Sequence, residues 1–287
     1  MKTYREYLAD ASRDRYALGH FNISTIETLW AIFDAAREAR QAVIIGVSEG
    51  ERDFIGMRQA VALVKSIRDE FNYPIFINAD HTYSVKRVKE AIDVGFDSAI
   101  FDGARLPIDE NIALTKECVA YSRASKRDVV IEGELGYIGT SSNVLDVLPE
   151  GVAVTREQMT APEDAERFVR ETDVDLFAPA VGNIHGMLKN TPNPRLDIEL
   201  VKNIAGAVDK PLVLHGGSGI LDDDFRAATQ AGISVIHINT ELRVAWRGSI
   251  EESLKSSNDV APYKLLVGGR DAMRKVVADR LSLFCGK

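Results

Sequence analysis

Eight short runs rich in β-branched residues recur along the chain, each followed by a longer stretch in which apolar residues return every three to four positions. The short runs fall at 17–22, 43–48, 75–80, 98–102, 129–135, 176–181, 212–215 and 235–240. The longer stretches fall at 25–39, 56–70, 84–94, 109–125, 162–172, 197–208, 222–231 and 241–256, with a ninth at 270–284. These periods read as strands and amphipathic helices respectively. Strand then helix, eight times, predicts an α/β protein built as a (β/α)8 TIM barrel with a C-terminal helical tail. No Pro-, Gly- or Ser-rich linker divides the series, so 1–287 reads as one domain. The competing architecture is an open doubly wound sheet. It would need a Gly-x-Gly-x-x-Gly turn after the first strand, and Gly19-His20-Phe21-Asn22 does not supply one.

Composition narrows the function classes. At 45% hydrophobic and 27% charged residues, collagenous, low-complexity and disordered readings are excluded. A net charge of −8 argues against a general nucleic-acid or anionic-membrane binder while leaving room for a local anion pocket. The two cysteines, Cys118 and Cys285, have no metal-ligand spacing, which excludes a disulfide scaffold or zinc ribbon and makes a reducing compartment the default. Residues 1–15 are polar and charged, and no apolar run approaches the ~18 residues of a membrane span. A soluble, cytoplasmic protein is expected.

One connection breaks the rhythm. Between the fifth strand and its helix, 136–161 shows little periodicity, whereas loops after barrel strands usually take ~2–6 residues. Such a segment reads as a mobile active-site loop, and Gly139-Thr140-Ser141-Ser142-Asn143 suits motion.

Barrels of this kind place their chemistry at the C-terminal ends of the strands. The polar residues closing each strand are His20 and Asn22, Ser48, Asp80 and His81, Asp102, Glu132 and Glu134, His185, His215, and His237 with Asn239 and Thr240. All five histidines of the chain are in that set. A satisfied structural histidine is a reasonable reading of any one of them and a poor reading of five. Three neutral imidazoles from different strands suit a catalytic zinc site with its fourth position open, and His81, His185 and His215 are the candidates. Glu134 reads either as a group that orients a ligand or offers an alternative metal position, or as a barrel-interior acid paired with a cation. The Leu-His-Gly-Gly-Ser-Gly run at 214–219 follows strand seven, where barrels bind phosphate on backbone N–H groups and a hydroxyl. Thr240 is placed to complete that cup. Asp80 reads as a proton-transfer group or as a cap for the following helix. Consecutive strand residues face opposite ways, so Asp80 and His81 share a site only if the strand ends there.

Five ordered motifs bring a family into view: Asp80-His81-Thr82-Tyr83-Ser84, the run from Gly95 to Gly103, Glu132-Gly133-Glu134-Leu135-Gly136, Val181-Gly182-Asn183-Ile184-His185-Gly186, and the 214–219 run. The chain resembles the class II, zinc-dependent ketose-bisphosphate aldolases, nearest the fructose and tagatose branches, over nearly its whole length. The resemblance implies reversible aldol cleavage of a ketose 1,6-bisphosphate to dihydroxyacetone phosphate and an aldehyde phosphate. It implies Zn²⁺ on His81, His185 and His215, and Asp80 as the proton carrier for the C4 hydroxyl. Gly182, Gly186, Lys189, Gly216 and Ser218 match positions around the triose phosphate or an adjacent monovalent cation, Na⁺ or K⁺, and Ser48 matches a contact to the far phosphate. A homodimer or homotetramer is the implied assembly.

Three positions depart from the family's pattern. Ser142 stands where the loop glutamate that handles the C3 proton is usual, followed by Asn143, and Tyr137, Asp146 and Glu150 are the same loop's alternatives. His237 replaces an asparagine that touches substrate, with Asn239 as its neighbour, and Ala104 replaces a serine. These changes bear on the substrate rather than on the metal. The alternatives to the leading reading are an aldolase on a different phosphorylated ketose, a metal-dependent isomerase or epimerase, and a non-catalytic phosphosugar-binding relative. Arg243, Arg247 and Lys264 read as solvated helix faces, although an arginine near the C-terminus could reach a phosphate, and Tyr263 stands where relatives often carry a basic residue.

Overall fold

Every expected strand forms in the computed structural model, which describes residues 1–140 and 142–285; Ser141 of the loop segment lies outside them. The barrel strands are β1 (Leu18–Asn22), β2 (Val43–Val47), β3 (Ile75–Thr82), β4 (Ser98–Phe101), β5 (Val130–Leu135), β7 (Leu176–Pro179), β9 (Leu212–Leu214) and β10 (Ile233–Ile238). Between them lie two-residue strands, β6 (Val144–Leu145) and β8 (Met187–Leu188). The eight pair in parallel into a closed ring, β1-β10-β9-β7-β5-β4-β3-β2. They are buried on both faces almost throughout, because the barrel interior lies on one side and a ring of helices on the other.

The helices are α1 (Tyr4–Asp14), α2 (Ile26–Ala39), α3 (Glu49–Ile55), α4 (Met57–Phe71), α5 (Val85–Val94), α6 (Ile108–Ala124), α7 (Pro162–Thr172), α8 (Ile198–Ala207), α9 (Asp222–Ala231), α10 (Thr240–Ser256), α11 (Pro262–Leu265) and α12 (Val267–Phe284). The last begins three residues before the predicted 270 and packs against α2 and α10. No helix among the described residues is long and apolar enough to cross a membrane.

The period of two along each strand sorts the barrel interior by height. Its floor is apolar: Leu18, Ile44, Phe76, Val130, Leu176, Val213 and Val235 form one cluster. Helix α1, which the sequence pattern did not anticipate, plugs that floor with Tyr4, Leu8 and Ala11, and the Tyr4 ring stacks on Phe76 at 4.8 Å. Two residues further up, five of these strands turn polar at the inward position, with His20, Asn78, Glu132, His215 and His237, all of them buried, while β2 and β7 carry Gly46 and Ala178. A gradient from oil to charge along one axis therefore sets where chemistry can occur.

The long loop is less irregular than its sequence suggested. Its β6 segment pairs with β8, Val144 opposite Met187 and Leu145 opposite Leu188, which ties it to the connection after β7.

Candidate active site

Asp80 and His81 do meet at one site, by a different device from a strand end. The β3–β4 register runs Ala79 to Ala99 and then Thr82 to Phe101, so Asp80 and His81 together oppose Ile100 alone. This is a β-bulge, and His81 at its crest has a positive φ of 23°, in the left-handed region that histidine enters more readily than most residues. The buried guanidinium of Arg52, on α3, braces the bulge from behind. Its Nη1 donates to the carbonyls of Val47 (2.7 Å) and Asp80 (2.9 Å), and its Nη2 donates to Thr82 Oγ1 (3.0 Å). Its nearest carboxylate is Glu49 at 3.9 Å, and burial pulls its pKa down.

The three candidate ligands converge: His81, His185 and His215 each offer a ring nitrogen, all within 4.8 Å of one another. In each ring the other nitrogen is already engaged, which fixes the tautomer. His81 Nδ1 donates to Asp102 at 2.9 Å, His185 Nδ1 to the Gly139 carbonyl at 2.6 Å, and His215 Nε2 to Glu132 at 2.6 Å. What remains is Nε2 of His81, Nε2 of His185 and Nδ1 of His215, the last buried with no hydrogen-bond partner. Burial holds His185 down at about 4 and His215 well below the usual imidazole range, so both are neutral, as metal ligands must be. Burial also lowers His81, but the surrounding Asp80, Asp102 and Glu134 outweigh it and keep that ring protonated when nothing else positive is near. Asp80, Asp102, Glu132 and Glu134 ion-pair with no lysine or arginine among the described residues. An excess of buried carboxylate beside three imidazoles is the charge pattern a divalent cation would balance.

Glu134 lies 3.5 Å from His81 Nδ1, and its Oε2 has no hydrogen-bond partner. It thus stands behind a candidate ligand and within the second group, His81, Asp102 and Glu134, that could itself hold an ion. Burial, reinforced by Asp102, raises its pKa well above the usual carboxylate range. Asp80 accepts from Asn22 Nδ2 at 2.8 Å through Oδ2, while its buried Oδ1 has no hydrogen-bond partner. Burial would raise its pKa, but the charge of His81 and contact with His237 hold it well below the usual range. Imidazole His237 stacks face to face on His20, 3.5 Å between centroids and 5° between planes, with Nδ1 3.6 Å from Asp80 Oδ1.

The glycine run behaves as a cup. Gly216 has φ 61°, and a Cβ there would sit 2.2 Å from the Ile184 carbonyl oxygen, so only glycine lets these two loops touch. Gly186, Gly216, Ser218 and Thr240 line one cavity with the three imidazoles, Asp80, Asn22, His237 and Asn239. Ser218 Oγ accepts from the Asn239 and Glu241 amides at 3.2 and 3.3 Å, closing the first turn of α10 and leaving its O–H to donate into the cavity. Asn193, to which no sequence signal pointed, clamps the cup by donating to the carbonyls of Gly186 and Ser218, 2.9 Å each.

Other expected residues fall elsewhere. The Lys189 side chain is 63% exposed and faces Asp146 at 3.8 Å, itself 85% exposed, because the β6–β8 ladder holds both on the outer surface. Glu150 is exposed, and the Tyr137 hydroxyl is taken by Arg105. Gly182, at φ 102°, supports the loop against the Arg195 carbonyl. Ser142 does reach the cavity, where its hydroxyl lies 3.5 Å from Asn239 Nδ2. Ser48 lines the adjoining chamber with its hydroxyl donating to Glu51 at 2.8 Å. Arg243 corrects the reading of a solvated helix face: it donates to Glu51 at 2.8 Å and to the Ser142 carbonyl at 3.2 Å. Arg247 and Lys264 remain surface residues, paired with Glu251 and Asp259.

Comparison with known proteins agrees with this geometry. The family model described as "Fructose-bisphosphate aldolase class-II" matches residues 2–287. The fructose-bisphosphate aldolase of Geobacillus stearothermophilus is 36% identical over 285 residues, covering 98% of this chain and 95% of that protein. That of Staphylococcus epidermidis is 34% identical over 284 residues, covering 98% and 96%. Among solved structures, the YdjI aldolase from Escherichia coli K12 superposes with a TM-score of 0.82 at 30% identity, covering 99% of this chain and 96% of that one.

Proposed function

The chain belongs to the class II fructose-bisphosphate aldolase family and is a carbon–carbon lyase of that class, and from this premise we propose that it reversibly cleaves a phosphorylated ketose to dihydroxyacetone phosphate and an aldehyde, with Zn²⁺ on His81, His185 and His215. The observation that carries this reading is the convergence of three tautomer-fixed imidazoles beside an aspartate oxygen with no partner and a glycine cup. When bound, the metal supplies Lewis acidity, polarising the ketone and stabilising the charge left by bond cleavage.

The chain's own residues do the rest. The 216–219 turn and the N-terminus of α10 hold the phosphate at C1, with Na⁺ or K⁺ proposed beside it. Asn22 fixes Asp80 through Oδ2 so that Oδ1 faces the C4 hydroxyl. In cleavage the C3–C4 bond breaks, its electrons pass to C3 as the enediolate, and Asp80 takes the C4 hydroxyl proton as the aldehyde forms. Protonation at C3 then yields dihydroxyacetone phosphate, and condensation reverses each step. The loop acids Asp146 and Glu150 point into solvent, so Ser142 and its partner Asn239 stand nearest to that second proton.

The test is a half-reaction that needs no aldehyde. Zinc-loaded protein given dihydroxyacetone phosphate in D₂O should exchange one C3 proton, read by NMR. A chelator should stop the exchange and added Zn²⁺ restore it. Fructose and tagatose 1,6-bisphosphate, assayed in parallel for triose phosphate release, then rank the sugars. Absence of exchange in protein that holds zinc would sink the aldolase reading and leave a phosphosugar-binding role.

A further inference from the structure

A sugar with its first phosphate in the glycine cup and its reacting carbons at the three imidazoles must send its far end the other way. A chamber of about 260 Å³ lies there, sharing Asp80, His81 and Ser142 with the metal cavity and continuing to Ser48, Glu49 and Arg243. Its anion-binding groups are the Ser48 amide, the Ser48 hydroxyl and the Arg243 guanidinium. All three are engaged by the Glu51 carboxylate, which lies behind the chamber wall, and the other arm of Arg243 donates to the Ser142 carbonyl. Oε2 of Glu51 accepts from Ser48 N (2.8 Å), Ser48 Oγ (2.8 Å) and Asn22 Nδ2 (2.9 Å), and Oε1 accepts from Arg243 Nη2 (2.8 Å). Glu51 is only 7% exposed.

A Ser-x-x-Glu contact at a helix start is ordinary capping. Capping does not explain why Asn22 of β1 and Arg243 of α10 converge on the same carboxylate. Four donors on one buried carboxylate make the environment of a bound anion, supplied here by the chain itself. The charge balance points the same way. Arg243 is matched by Glu51, Glu49 and Asp80 also line the chamber, and no other lysine or arginine among the described residues does. A second phosphate would meet carboxylates and no unpaired cation, whereas hydroxyl groups would find acceptors in Glu49 and a donor in Thr140.

We infer that the far chamber receives an uncharged, hydroxylated aldehyde, so that the substrate is a ketose 1-phosphate, with Glu51 the specificity-determining residue standing where a second phosphate would bind. This rests on the aldolase reading above. The experiment is condensation with dihydroxyacetone phosphate by the zinc-loaded enzyme, comparing glycolaldehyde and both enantiomers of glyceraldehyde with their phosphate esters. The unphosphorylated aldehydes should be consumed with kcat/KM at least 10-fold higher. Glu51→Gln, which keeps the shape and removes the charge, should move that ratio at least 10-fold toward the phosphates, as should Glu51→Ala. If either variant fails to fold, by circular dichroism, the wild-type ratio decides alone. A wild-type preference for the phosphates overturns the inference, as does a ratio unmoved in folded variants, or C3 exchange with neither class of aldehyde consumed. Loss of C3 exchange itself would instead remove the aldolase reading on which the inference stands.

Discussion

Two of the three candidate ligand imidazoles, His81 and His215, depend on a carboxylate that the sequence presents only as another polar strand end. Glu132 shows the point. Its Oε1 accepts from His215 Nε2 at 2.6 Å, both side chains are 1% exposed, and the bond leaves Nδ1 as the nitrogen that faces His81 and His185. Burial raises the Glu132 pKa well above the usual carboxylate range, yet as the acceptor for His215 it is a stronger partner than an amide, and Glu132→Gln keeps the shape while weakening the bond that orients this candidate ligand. Metal affinity should fall about 10- to 100-fold. Competition against a fluorescent chelator measures that directly, and unchanged affinity would mean that the Glu132 carboxylate contributes nothing beyond what an amide acceptor supplies. The identity of such a residue was partly legible, because period-two reading along β5 puts Glu132 inside the barrel. Its partner was not, since 83 residues separate it from His215 and only the closed ring makes them neighbours.

At the scale of elements, the bulge in β3 is what lets a single strand deliver both the carboxylate and the imidazole of the candidate site. Bulges are invisible to hydrophobic periodicity, since Ile75, Phe76 and Ile77 read the same whether or not the strand kinks three residues on. Helix α3 escaped notice for a similar reason: seven residues give too short a window for a 3.6 period, and its inward face is a charged residue, Arg52. The strands themselves were legible because a barrel strand is buried on both faces and so carries a dense β-branched signal. Arg52 ties the two unread elements together. Arg52→Met removes the charged donor from two backbone carbonyls and one hydroxyl inside the protein. Stranding buried carbonyls costs about 1–3 kcal/mol each, partly offset because the guanidinium itself no longer has to be desolvated. A net loss of about 2 kcal/mol should lower Tm by roughly 5 °C. Turnover should drop further than substrate affinity, because Asp80 and His81 lose their shared geometry while the glycine cup is untouched. Equal losses in kcat and in dihydroxyacetone phosphate binding would argue that Arg52 serves stability alone.

The whole molecule divides between an upper rim that does chemistry and a floor that holds the ring closed, and the floor has its own charged hub. Asp175, just before β7, accepts from the Ile131 amide of β5 at 2.8 Å, from Arg5 of α1 at 2.6 Å and from Arg123 of α6 at 2.7 Å. Residues of α1, α6 and β5 thus meet on one carboxylate that is 8% exposed, just ahead of β7. Burial works against its ionisation, but Arg123, Arg5 and the Ile131 amide prevail and hold its pKa below the usual carboxylate range. A depressed native pKa means stability that is fully present above the unfolded value, about 3.9, and lost as the pH falls through the lower native value. Asp175→Asn should therefore cost on the order of 2 kcal/mol at neutral pH, a figure already reduced because both arginines are more than a third exposed. The gap between wild type and variant should narrow as the pH is lowered from 5 towards 3, since protonation takes from the wild type what the substitution has already removed. Urea denaturation across that range tests both claims. A gap that stays constant would assign the loss to shape and hydrogen bonding rather than to charge. Activity per folded molecule at neutral pH should be preserved, because the ring of strands separates this hub from the histidines at the opposite end.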